Sequence, residues 1–99
     1  MAQTIDFTTR IEGIAQYLGA MYPTASITRY EDDARDAVGF HFTGAPHADA
    51  EFERGWVTSL ATDQVAQEMH LHHVCAEIND TPLNERVIFS ASGVRRTPL

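Results

Sequence analysis

"GAPHADAEFERGWVTSLATDQVAQEM", residues 44–69, is the stretch whose reading decides the fold. Phe52, Trp56, Leu60, Ala61, Val65 and Met69 recur at steps of mostly four, the stripe of an amphipathic helix. Pro46 suits a first helical turn, where its missing N–H costs nothing. Asp49 and Glu51 would then stand near the positive end of the helix dipole. The pattern predicts one long helix from about 47 to 71. Gly55 inside it costs ~1 kcal/mol relative to alanine and is where a break would fall.

Upstream, Phe7, Ile11, Ile14, Leu18 and Met21 form a single apolar stripe, which predicts a helix over 5–20. Thr4 or Asp6 is placed to cap its start, and Pro23 stops it. "SITRY" (26–30) and "VGFHF" (38–42) alternate, with polar "EDDARD" between them, and read as an antiparallel hairpin. Downstream the helical stripe fails. Leu71, Val74, Cys75 and Ile78 would lie nearly opposite Val65 and Met69, so the helix should end near Leu71. The alternation Val74, Ala76, Ile78 suits a strand, "NDTPLNE" (79–85) a loop, and "RVIFSAS" (86–92) a last strand. The expectation is one α+β domain over 1–99. Its element order is α-β-β-α-β-β, a four-stranded antiparallel sheet backed by two helices.

Composition narrows the partners. Ninety-nine residues make one domain by size, and 43% hydrophobic residues are enough for a modest core. The formal charge is −7 and every basic residue is an arginine. An acidic chain without a basic run repels phosphate backbones and anionic lipid, so neither nucleic acid nor a membrane is the expected partner. A single cysteine cannot form an internal disulfide, no stretch reaches the ~20 apolar residues of a membrane span, and no secretory signal opens the chain. The expectation is a cytoplasmic protein.

"EMHLHHVCAE" (68–77) holds three of the five histidines and the only cysteine. Zinc wants four ligands in a closed site. On a strand His70 and His72 point one way and His73 the other, so His41 or His47 would have to complete a set; no metal is expected. Adjacent histidines also serve general acid–base chemistry near neutral pH. Cys75 reads as a small buried residue.

With these elements in place the chain resembles the pterin-4a-carbinolamine dehydratases. Their motif is a charged residue, three residues, then two histidines at the end of a long helix leading into a strand; Glu68, His72 and His73 match it. Phe40–His41–Phe42 resembles the family's upstream strand. The chain departs from the pattern at Val74, where proline is usual, at Asp80 and Thr81, where an aromatic is expected, and in the length of "NDTPLNE". Above all, "SASGV" (90–94) replaces the segment that carries the family's third histidine, and no residues remain for its last helix. The dehydration needs one group to protonate the leaving hydroxyl and another to take a ring proton. Loss of one such group commonly costs ~10²–10⁴-fold in rate.

The resemblance therefore implies a degenerate member in which Glu68, His72 and His73 are candidate or vestigial catalytic residues and no cofactor is held. It is similar to the dehydratase-like proteins encoded with α-carboxysome genes, which act as assembly factors for Rubisco. The functional expectation is a non-catalytic Rubisco assembly factor, at least a homodimer, with the Rubisco large subunit as partner. The alternative is a 4a-hydroxytetrahydropterin dehydratase with a reduced histidine set.

Overall fold

The computed structural model describes residues 2–44, 48–61 and 63–99, with side chains from Phe7 onward. The fold is α+β, built on a five-stranded mixed sheet. The N-terminal helix α1 (Ala2–Met21) starts upstream of Thr4 and Asp6, so neither is its cap. Its Ile11, Ile14 and Leu18 are buried, whereas Met21, the last of the predicted stripe, is half exposed. The hairpin is as expected. β1 (Ser26–Asp32) pairs antiparallel with β2 (Ala37–Thr43), from Ser26 opposite Thr43 to Asp32 opposite Ala37. Asp36 takes φ 50° in the turn between them. No helix among the described residues is long and apolar enough to cross a membrane.

The expected long helix over 47–71 is not formed. Its first part is strand β3 (Ala48–Glu53), antiparallel to β2. Then come two short helices, α2 (Arg54–Thr58) and α3 (Val65–Leu71). The physical reason lies in "ADAEFE". Ala48, Ala50 and Phe52 alternate with Asp49, Glu51 and Glu53, a period of two. A helix would leave the acids in water near its N-terminus. The strand buries both instead, setting Glu51 among arginines and Asp49 beside His41. The apolar residues of the predicted stripe still reach the core: Phe52, Trp56, Leu60, Val65 and Met69 are all buried, and only Ala61 is exposed. Four different segments deliver them rather than one helix face.

The expected strand at 74–78 is also corrected. Val74–Asn79 is a helix, α4, in which Val74 and Ile78 face inward four residues apart and Ala76 is exposed. The expected last strand appears as β4 (Glu85–Ser90). It pairs parallel with β3, from Ala50 opposite Val87 to Phe52 opposite Phe89. The chain then turns at Ala91–Ser92, with Gly93 at φ 128°, into a strand the sequence reading missed, β5 (Gly93–Pro98). The sheet order is β1-β2-β3-β4-β5, so the expected four antiparallel strands become five, with one parallel joint. A parallel joint needs a crossover of a dozen or more residues, and α2, α3 and α4 lie within it.

The helices pack on one face of the sheet, against Val38, Phe40, Phe42, Ala50, Phe52, Val87 and Phe89. Phe52 is the hub. It stacks on Phe89 with centroids 4.8 Å apart and meets Phe40 and Trp56 at 5.8 and 5.2 Å. The opposite face carries Tyr30, Gly39, His41, Asp49, Glu51, Arg86, Ile88 and Arg95, as the register requires. Tyr30 lies across Gly39, and a Cβ at that position would come within 2.1 Å of the ring's Cζ. Gly39→Ala should therefore cost ~1–3 kcal/mol through the forced displacement of Tyr30. Urea denaturation checks this; a midpoint and slope equal to the parent's would contradict the close packing of ring on backbone.

Candidate functional site

The histidine segment folds as a corner between α3 and α4. The N–H of His72 donates to Glu68 O at 2.9 Å and closes α3, and the N–H of His73 donates to His70 O at 3.0 Å. His73 then adopts φ 56°, ψ 39°, the left-handed conformation that breaks one helix and starts the next. This bend separates the residues the sequence grouped. His73 is exposed. Glu68 turns back on the chain, where its Oε2 accepts the Ala61 N–H. His72, also exposed, lines a cleft, with its ring set edge-on to Trp56 at 5.5 Å.

That cleft has a volume of about 310 Å³. Trp56, Ser59 and His72 form one wall, and Phe89, Ser90, Ala91, Gly93 and Val94 form the other. Trp56 and Phe89, with centroids 5.6 Å apart, make an aromatic floor. The hydroxyls are engaged locally: Ser59 Oγ donates to Trp56 O at 2.6 Å, and Ser90 Oγ to Gly93 O at 2.8 Å. The "SASGV" turn thus stands opposite His72, and its small side chains leave the space open.

A second polar constellation, on the uncovered sheet face, was not singled out from the sequence. Glu51 has no exposed surface. Its Oε1 accepts Arg35 Nε–H at 2.8 Å; its Oε2 accepts Arg35 Nη2–H at 3.1 Å and the Tyr30 hydroxyl at 3.0 Å. Arg86 Nε stands 3.5 Å from the same carboxylate without meeting hydrogen-bond geometry. Arg35 also reaches Asp32 at 2.5 Å. Beside this group, directly across β2 and β3, His41 Nδ1 meets Asp49 Oδ1 at 3.0 Å. The hydrogen bond to Glu51 raises the pKa of Arg35. Burial, reinforced by the Glu51 charge, pushes the Tyr30 phenol well above its usual 10. The signal available in the sequence was the alternation of acids in "ADAEFE", outweighed by a helical stripe that overlapped it.

On the helix side, Cys75 is partly exposed rather than fully buried. Its thiol lies 3.7 Å from the Tyr17 hydroxyl, and burial, with that contact, pushes the Tyr17 phenol up to about 12. Among the described residues no three His, Cys, Asp or Glu side chains gather as a metal-ligand set. His47, weighed above as a fourth ligand, lies outside the described residues.

Two outcomes follow from this geometry. Glu51→Ala leaves Arg35 and Arg86 without their shared counter-charge and should cost ~3–5 kcal/mol; chemical denaturation measures it. Tyr30 has a folded pKa above its unfolded value. The stability it contributes is thus present below about pH 10 and is lost as pH climbs toward the folded pKa. The denaturation midpoint should fall above about pH 10, and Tyr30→Phe should flatten that fall; equal slopes in both proteins would contradict the assignment. Compared with protein-family models, curated proteins and solved structures, this chain finds no match in any of the three.

Proposed function

We propose that this chain is a non-catalytic binding protein that holds a protein partner at the cleft beside His72. The carrying observation is the composition of the two walls. One imidazole faces a turn of small residues across an aromatic floor, and the serine hydroxyls there are already bonded to backbone carbonyls. An apolar side chain of a partner would meet the exposed Ala91, Val94 and His72 at the rim, above a Trp56–Phe89 pair that is already almost fully buried. A reaction that moves two protons needs a second acid or base, and Ser90–Val94 offers side chains of another kind.

The dehydratase-like reading is a finer form of this proposal. In its favour, His72 and the end of β4 line one cleft, as the motif Glu68–His72–His73 implies. The long helix that carried the motif is replaced by β3, α2 and α3, so the motif stands without its frame. On that reading the partner is the Rubisco large subunit, in a cell that builds α-carboxysomes. The alternative, a pterin dehydratase, draws on the same cleft and its one imidazole, His72. For the association into at least a homodimer expected above, support comes from β1 and β5, which end the sheet and offer their outer edges for pairing.

Trp56 is the only tryptophan and stands in the cleft wall, so its fluorescence reports occupancy. Added Rubisco large subunit is expected to change that emission, and His72→Ala to weaken the titrated affinity about tenfold, the equivalent of ~1.4 kcal/mol. Unchanged emission together with unchanged yield of assembled Rubisco on co-expression would remove Rubisco as the partner. A stopped-flow assay with a 4a-hydroxytetrahydropterin decides the alternative: the expected rate is the spontaneous one, and a rate well above it would replace binding by catalysis.

A further inference from the structure

The two edges of the sheet carry opposite charges in matching positions. β1 holds Glu31 and Asp32, and β5 holds Arg95 and Arg96. The topology fixes their directions: β1, β3 and β4 run one way, β2 and β5 the other. A second copy laid beside β5 in the same orientation therefore presents its β1 antiparallel, with the helix-covered faces on one side. Glu31 lies opposite Val38 and Arg96 opposite Val87, so both belong to the helix-covered face. Asp32 lies opposite Ala37 and Arg95 opposite Ile88, so both belong to the other face. In an antiparallel ladder, setting Glu31 against Arg96 necessarily sets Asp32 against Arg95, each pair on its own face.

Other alignments do less. A parallel ladder that joins Glu31 to Arg96 sets Tyr30 against Arg95. Pairing β5 with itself about either arginine sets like charges together. Pairing β1 with itself about Tyr30 joins Arg29 to Glu31 but leaves β5 bare. Within its own chain Arg95 already meets Glu53 at 2.8 Å, and Asp32 meets Arg35 at 2.5 Å. The pairing would thus extend these contacts into a row of alternating charge, Glu53, Arg95, the partner's Asp32 and the partner's Arg35. Glu31 is exposed and Arg95 about half so, which leaves both accessible to a neighbour. Asp32 and Arg96 are less exposed, and Arg96 already bonds Glu77 and Thr81, so a partner's Glu31 would share Arg96 with those contacts.

We propose that copies of this chain associate head to tail, the β5 of one accepting the β1 of the next in this antiparallel register. The occupant of each edge is a second copy of the chain. The inference rests on the sheet edges and not on the cleft at His72, so either can fail without the other. The contact is heterologous and leaves a β1 free at one end and a β5 at the other, so assembly passes beyond two copies into a ring or a filament.

Light scattering over micromolar to sub-millimolar concentrations, at low and high salt, gives the first test. Masses above a dimer that fall with added salt are expected; a mass that stays at 11.0 kDa, or stops at two copies, overturns the proposal. The second test exchanges the charges. Arg95→Glu/Arg96→Glu and Glu31→Arg/Asp32→Arg should each be monomeric alone, and their equimolar mixture should associate at least about tenfold more tightly than either alone, because every β1–β5 contact between unlike variants is complementary. Undiminished association of the first variant alone, or a mixture no tighter than its parts, overturns it. Far-UV circular dichroism checks that both variants fold. Where one does not, hydrogen exchange on the parent protein replaces it. Amides within 29–32 and 95–97, the residues this register sets opposite one another, should slow together as concentration rises, and slowing in one strand alone, or in neither, overturns the pairing.

Discussion

A carboxylate with no exposed surface, Glu51, sits in the middle of a sheet face that none of the described helices covers. Removing a charge from water is costly unless counter-charges and hydrogen bonds replace the solvent. Here the replacement comes from three places in the chain. Tyr30 reaches over from β1, Arg35 from the β1–β2 turn and Arg86 from β4. Each contributor imposes a condition. Tyr30 can lie across β2 only because residue 39 is glycine. Arg35 reaches Glu51 from a turn that holds Asp36 at positive φ. Arg86 is adjacent only because β4 lies beside β3, at the one parallel joint of the sheet. Ile88 is buried on this same face and is not part of the main core. Long polar side chains thus do for this face what helices do for the other.

The same strand organises the opposite side. Phe52 follows Glu51 by one residue and therefore points into the helix layer, where its ring stacks on Phe89 and touches Phe40 and Trp56. β3 is consequently held from both faces, by ion pairs on one and by aromatic packing on the other. Its parallel pairing with β4 requires a long crossover. That crossover places the α3–α4 corner, with His72, above the end of the β4–β5 hairpin. The cleft is a product of the crossover: its two walls, Trp56 to His72 and Phe89 to Val94, are remote in sequence and meet only because β3 and β4 are neighbours.

Two features with functional content therefore sit on different parts of the molecule. The cleft is small, and His72 is the one ionisable side chain among its lining residues. The sheet edges are polar and oppositely charged. Charged side chains on an edge strand ordinarily keep copies apart; opposite signs on the two edges, matched in face and direction, favour contact instead.

The sequence by itself determined the N-terminal helix, the β1–β2 hairpin, a strand read at 86–92 and formed at 85–90, the α+β class and most of the residues that enter the core. Each of these rests on local periodicity that one element expresses alone: Ile11, Ile14 and Leu18 on one helix stripe, Val38, Phe40 and Phe42 on one strand face. Residues 48–53 were decided by tertiary structure. Ala, Glu and Asp after a proline satisfy a helix start locally, and the apolar spacing beyond Phe52 continues a helical stripe. What selects the strand is the position of Arg35 and Arg86, 16 and 35 residues away, and of Phe89 beneath Phe52. The candidate site divides the same way. His72 was legible as chemistry, but its separation from Glu68 and His73 follows from a left-handed residue at the helix junction. The Tyr30–Arg35–Glu51–Arg86 group was not legible, because its members come from four segments that only the closed sheet brings together.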